Sequence, residues 1–145
     1  MSDDALWTWS LEETLPSKLG TGGSFLERVL DQLAQYEWSD THIFAVRLSV
    51  DEALTNAIRH GNRLDERKQV SLGCKMSSDR IRVEIEDEGH GFDPGQVPDP
   101  TLPENLEKPT GRGLTLMRHY MTHVEFNRRG NRVIMEKMLE SDPKS

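Results

Sequence analysis

Three short motifs constrain this chain most, because each places chemistry on a different kind of element and their order is fixed. They are Glu52-x-x-x-Asn56-x-x-x-His60-Gly61, then Asp87-Glu88-Gly89-His90-Gly91-Phe92, then Gly111-Arg112-Gly113-Leu114. The first falls in a helix-period segment, the second ends a strand-period segment and the third opens a helix. Taken singly, each also fits a plainer role: a solvated helix face, an acidic turn, a glycine-rich helix start.

The surrounding pattern supplies the elements. Trp7, Trp9 and Leu11 alternate with polar residues and predict a strand ended by Pro16 and Gly20–Gly23. Ser24 and Glu27 read as a capping box for a helix through Phe25, Val29, Leu30 and Leu33 to about Tyr36. A second helix starts at Asp40 or Thr41 and runs to about His60, with Ile43, Val46, Val50, Leu54 and Ala57 toward the core and Gly61-Asn62 as its stop. Arg47 falls near that apolar stripe, where a bare charge is costly, so it either snorkels or pairs with a carboxylate.

Val70, Leu72, Cys74 and Met76 share one face of a strand, and Ser77-Ser78-Asp79 turns into a second with Ile81, Val83 and Ile85 on one face. A third helix covers about Gly113 to Met121, and strands near His123–Asn127 and Arg132–Leu139 flank an Arg129-Gly130-Asn131 turn. One covered and one solvated strand face predict an α+β fold: a two-layer sandwich with a mostly antiparallel sheet and helices on one side. Between Gly89 and Gly111 periodicity vanishes, and five of the seven prolines fall there, at positions 94, 98, 100, 103 and 109. A structureless stretch of that length is functional or disordered.

The residue types then point to chemistry. Glu52, Asn56 and His60, four apart, form one stripe roughly perpendicular to the core face, so the stripe borders a cavity. The carboxamide oxygen of Asn56 suits a magnesium ion that keeps waters and binds phosphate oxygens. Glu52, one turn earlier, suits a general base. Asp87 shares the parity of Ile81, Val83 and Ile85, so its carboxylate points into the helix layer, where it needs a partner. Gly89 and Gly91 let the backbone come close to a ligand. Thr110, Gly111, Arg112, Gly113 and Leu114 open a helix whose free N–H groups, with the Arg112 charge, suit an anion. No Gly-Lys-Ser/Thr run is present, so this is not a P-loop.

Size and charge close off other classes. The chain's 145 residues fit one domain, read as residues 1–145 with a core over about 6–139 and a frayed tail at 140–145. With 18 basic and 25 acidic residues the formal charge is −7, which disfavours nucleic acid as a partner. The single cysteine, Cys74, allows no internal disulfide, and the acidic start carries no signal-peptide pattern. No apolar run is long enough for a membrane span. The expectation is a soluble cytoplasmic protein that does not engage membranes.

In order and spacing the motifs resemble those of the Bergerat-type (GHKL) ATPases, and the resemblance runs from about Leu6 to Met138. Within that superfamily the run from Asp51 to Asn62, and Gly111-Arg112-Gly113-Leu114-x-Leu116-Met117-Arg118, are very similar to the anti-sigma-factor serine kinases. The resemblance implies ATP and Mg²⁺ as ligands, Glu52 as general base, Asn56 as magnesium ligand and Asp87 as the residue that reads the adenine amine. Residues at about 93–110 then correspond to the ATP lid. DNA topoisomerases, mismatch-repair proteins and chaperones of this fold need a further domain, and sensor histidine kinases a helical hairpin bearing the acceptor histidine. Here His42, His60, His90, His119 and His123 all lie within the nucleotide fold.

The resemblance further implies partner switching. A homodimer would hold a sigma factor and, with Mg-ATP, phosphorylate a small STAS-domain antagonist on serine or threonine. Apolar residues on more than one strand face, among them Trp7, Trp9, Ile134 and Met138, fit a dimer surface. Thr115 departs from the family, which often has a second glycine there, and a threonine would narrow the approach to the phosphates. Two other readings stay open: a binding module that uses ATP as a structural ligand, and a switch kinase that phosphorylates a STAS protein without touching a sigma factor.

Overall fold

The computed structural model describes residues 6–89 and 111–139. The chain runs β1 (Trp9–Pro16), α1 (Gly23–Gln35), α2 (Asp40–Thr55), a π-helical turn (Asn56–Gly61), β2 (Gln69–Ser77), β3 (Arg80–Glu86), α3 (Gly111–Tyr120), β4 (His123–Phe126) and β5 (Arg132–Met138). The five strands form one sheet in the order β1-β2-β3-β5-β4, and every neighbouring pair is antiparallel. This is the expected α+β architecture.

Strict alternation makes one sheet face apolar. Val70, Leu72, Cys74 and Met76 on β2, Ile81, Val83 and Ile85 on β3, and Val133 and Met135 on β5 are all buried. They meet Phe25, Val29 and Leu33 of α1, Val46 and Val50 of α2, and Leu114 and Met117 of α3. Each such side chain contributes roughly 1.5–3 kcal/mol by burial. Cys74 belongs to this core, and burial pushes its thiol up, away from thiolate reactivity. The opposite face is polar: Arg82 and Arg132 pair with Glu84 at 3.2 and 2.8 Å. Among the described residues no helix is long and apolar enough to cross a membrane.

The structure corrects several local expectations. The first strand begins at Trp9; Trp7 lies outside it and stacks its ring on the Arg80 guanidinium, 5.0 Å away. The Ser24–Glu27 capping box does not form. α1 starts at Gly23 with Gly22 at the N-cap and no side-chain cap. A Cβ on Gly22 would sit 2.9 Å from Leu54, so helix α2 packs onto this backbone and the helix begins there. For Arg47 the structure decides between the two alternatives: it is half-exposed and pairs with Glu27 at 3.4 Å. α1 ends without a glycine: Glu37 takes φ 63°, and the N–H groups of Glu37 and Trp38 close on the Ala34 and Leu33 carbonyls. α3 starts at Gly111, two residues before the expected position.

The largest correction concerns the second helix. Its α geometry stops at Thr55, and Asn56–Gly61 winds as a π turn, with Asn62 N–H donating to the Ala57 carbonyl five residues back, at 2.9 Å. A π turn inside an α-helix marks a place where side chains are re-aimed. His90, Gly91, Phe92, the proline-rich stretch and Thr110 lie outside the described residues, as does the tail from Glu140.

Candidate functional site

β3 is the central strand, so its last residues emerge between the starts of β2 and β5 and beneath the end of the π turn. Asp87, next after β3, keeps the inward parity of Ile81, Val83 and Ile85 and is buried. It shares one cavity with Asn56, His60 and Gly61 of the π turn. Ile85, Met117, Phe126 and Val133 supply apolar wall, and the β4–β5 turn contributes Gly130, Asn131 and Arg132. An apolar slot with a few convergent polar groups is the usual character of a small-molecule site.

Glycines make this convergence possible. A Cβ on Gly61 would lie 2.3 Å from the Asp87 carboxylate, and one on Gly89 would lie 1.9 Å from the Gly61 carbonyl oxygen. The first and second motifs are therefore in direct backbone contact. The third joins from the other side: a Cβ on Gly113 would lie 2.7 Å from Glu52 Oε2 and 3.7 Å from Asn56 Nδ2. Glu52 and Asn56 thus sit under the first turn of α3, whose N–H groups lack intrahelical acceptors. Leu114 is buried in the core beside this turn and does not line the cavity. The side chain of Arg112 lies outside the described residues. Thr115 is exposed on α3.

Gly61→Ala should be severely damaging. The methyl would collide with a buried carboxylate that cannot withdraw, and overpacking of this kind costs about 1–3 kcal/mol or more. The expected result is a lowered melting temperature together with lost ligand binding, checked by thermal unfolding and ligand titration of the same preparation.

Electrostatics single out Asp87. Burial, with a smaller push from Glu86, holds its acid up at about 6, against the opposing pull of the Gly89 N–H, Arg129 and Lys68. Between the ordinary value of 3.8 and about 6, the folded chain holds a proton that the unfolded chain has lost. Stability at this site therefore rises as pH falls through about 6 and is lower, and flat, above it. The expected result is that the free protein gains melting temperature relative to its Asp87→Asn variant between about pH 7.5 and 5. A constant difference across that range would contradict the burial argument.

The three motifs gave no hint of Phe126 or the Gly130–Arg132 turn, and Met117 entered only as part of the run that carries the family resemblance. The sequence signal of Phe126 and the turn was position alone, at the end of β4 and the start of β5, the strand that the sheet order carries beside β3. Among the described residues no three His, Cys, Asp or Glu side chains cluster as a metal cage. A hard cation at this site would rest on Asn56 and on phosphate oxygens of a substrate, which is how Mg²⁺ usually binds.

Comparisons with known proteins agree with this fold. A model of the histidine kinase-like ATPase domain family matches residues 15–137. The serine/threonine-protein kinase BtrW of Bordetella bronchiseptica is 33% identical over 94 residues, 63% of this chain and 66% of its own length. An anti-sigma F factor of Clostridium perfringens is 30% identical over 115 residues, 75% of this chain and 81% of its own. The serine-protein kinase RsbW of Bacillus subtilis is 33% identical over 106 residues, 67% of this chain and 65% of its own. The crystal structure of the RsbU and RsbW domains of Rv1364c from Mycobacterium tuberculosis superposes with a TM-score of 0.56 at 13% identity, over 90% of this chain and 31% of that one, which speaks to fold alone. The chain belongs to the histidine kinase-like ATPase domain family, and within it to the anti-sigma-factor serine/threonine kinases.

Proposed function

We propose that this protein is an ATP-dependent anti-sigma factor and serine/threonine kinase, acting on a small STAS-domain antagonist in a partner switch. One observation carries the reading: Glu52 and Asn56 meet the glycine-opened start of α3 while Asn56 also borders the cavity that holds Asp87. This supports a reading in which a phosphate site and an adenine site share one continuous wall.

In this reading the Asp87 carboxylate accepts a hydrogen bond from the exocyclic amine of ATP's adenine. The apolar wall of Ile85, Met117 and Phe126 covers the ring. The N–H groups of α3's first turn face the phosphates. Asn56 would hold Mg²⁺, which when bound neutralises phosphate charge. Glu52 takes the proton from the attacking hydroxyl of the partner. The new phosphate, with close to two negative charges, then separates the partners by repulsion and desolvation. Thr115 is exposed on α3 and is not among the residues lining the cavity.

A homodimer in the cytoplasm is part of the proposal. Leu6 is 42% and Met138 46% exposed; Leu6 adjoins Trp7, which stacks on Arg80, and Arg80 pairs with Met138 in the strand register. The test is transfer of γ-label from ATP with Mg²⁺ in an extract of the source cells. Acid-stable label on a small protein identifies the substrate and its serine or threonine chemistry. Nucleotide binding without label on any protein would overturn the kinase assignment.

A further inference from the structure

Asp87 is one half of a recognition device, and what holds it in place lies outside all three motifs. Asn131, only 7% exposed at the start of β5, grips Asp87 by its backbone. Its carbonyl accepts the Asp87 N–H at 2.9 Å and its Nδ2 donates to the Asp87 carbonyl at 2.8 Å. The orientation of that carboxamide is in turn fixed by Asn127, whose Nδ2 donates to Asn131 Oδ1 at 2.8 Å. Asn62, 1% exposed after the π turn, grips the next residue: its Oδ1 accepts the Glu88 N–H at 2.8 Å. Its Nδ2 donates to Ser17 Oγ at 2.6 Å and to the Gln69 carbonyl at 2.9 Å.

Beyond these, Gly89 N–H donates to Asp87 Oδ1 at 2.7 Å, and Arg129 donates to the Gly89 carbonyl at 3.0 Å. The backbone from Asp87 to Gly89 is thus held from two sides, by groups anchored in β1, β2 and the β4–β5 turn. A carboxamide suits this task because it offers a donor and an acceptor in one plane. An aspartate in its place would set oxygen against the Asp87 carbonyl.

We propose that Asn131 and Asn62 are positioning residues for base recognition: they fix the Asp87–Gly89 backbone so that the carboxylate presents a single orientation to the bound purine. The proposal rests on reading Asp87 as the adenine contact. Its consequence is specific. Loosening the clamp should weaken the interaction with the exocyclic amine and leave phosphate and ring contacts alone.

The test uses the full chain, with affinities measured for ATP and for purine riboside triphosphate, which lacks the exocyclic amine. Asn131→Ala is expected to weaken ATP binding by about tenfold or more, the scale of a lost hydrogen bond to a charged group. Asn131 also borders the cavity, so the readout is the ratio: binding of the analogue should weaken several-fold less than binding of ATP, so that the preference for ATP collapses. In an Asp87→Asn background the same substitution should add almost nothing, since coupled residues are not additive. Equal weakening of both nucleotides, or full additivity with Asp87→Asn, would make Asn131 a structural residue only and overturn the proposal. Should Asn131→Ala not fold, Asn127→Ala frees the same carboxamide and should lower the preference for ATP in the same direction; an unchanged preference then sinks the idea. A preference that survives Asp87→Asn would instead overturn the adenine reading itself, a separate failure.

Discussion

Glu52→Gln should leave nucleotide affinity within about twofold of wild type and slow phosphoryl transfer by roughly two to four orders of magnitude, the usual contribution of a general base. The substitution keeps the side chain's length and removes only its ability to take a proton. Glu52 Oε2 lies against Gly113, not in the wall of the cavity around Asp87, so the contacts of the base are untouched. The measurement is single-turnover transfer to the partner alongside a binding titration. Transfer at the wild-type rate would remove Glu52 from its role. Loss of binding in step with transfer would make it a ligand residue.

Asp87→Asn should have the opposite signature: ATP affinity falls by about a hundredfold, because a charge-assisted hydrogen bond is lost and an amide donor is set against the amine of the base. The fold should survive, since the variant removes a buried carboxylate whose ionised form is disfavoured by burial. ATP affinity of the wild type should also weaken as pH falls through about 6, where Asp87 takes up its proton, and the variant should not show this dependence. An affinity independent of pH over that range in both proteins would contradict the assigned contact.

Most of the fold was legible because its signals are local. Period-2 runs at Val70–Met76 and Ile81–Ile85 can bury one face in only one way, and the parity of Asp87 follows from the same count. Two kinds of detail were not legible. The π turn at Asn56–Gly61 differs from an α-helix by one residue in the hydrogen-bond spacing, and no composition signal marks it. The start of α1 is set by Leu54 packing on Gly22, a contact between elements about thirty residues apart, which outweighs the local capping preference of Ser24. In the site, the motif residues that the fold brings together, Glu52, Asn56, Gly61, Asp87, Gly89 and Gly113, could be read directly. The asparagines that hold them could not, because Asn62 and Asn131 look like ordinary turn residues until the sheet order places them on either side of Asp87.

The contact between Gly61 and Gly89 has a consequence for how such a chain can drift. A side chain at either position meets something that cannot give way, a buried carboxylate in one case and a main-chain carbonyl in the other. Most tight contacts in a core can be relieved by shrinking the neighbour, which lets two positions change in succession. At Gly89 that route is closed, because its neighbour is the Gly61 main-chain carbonyl, which has no smaller form. At Gly61 it is open only by giving up the Asp87 carboxylate, so a larger residue there would cost the chain the group on which the proposed base contact rests.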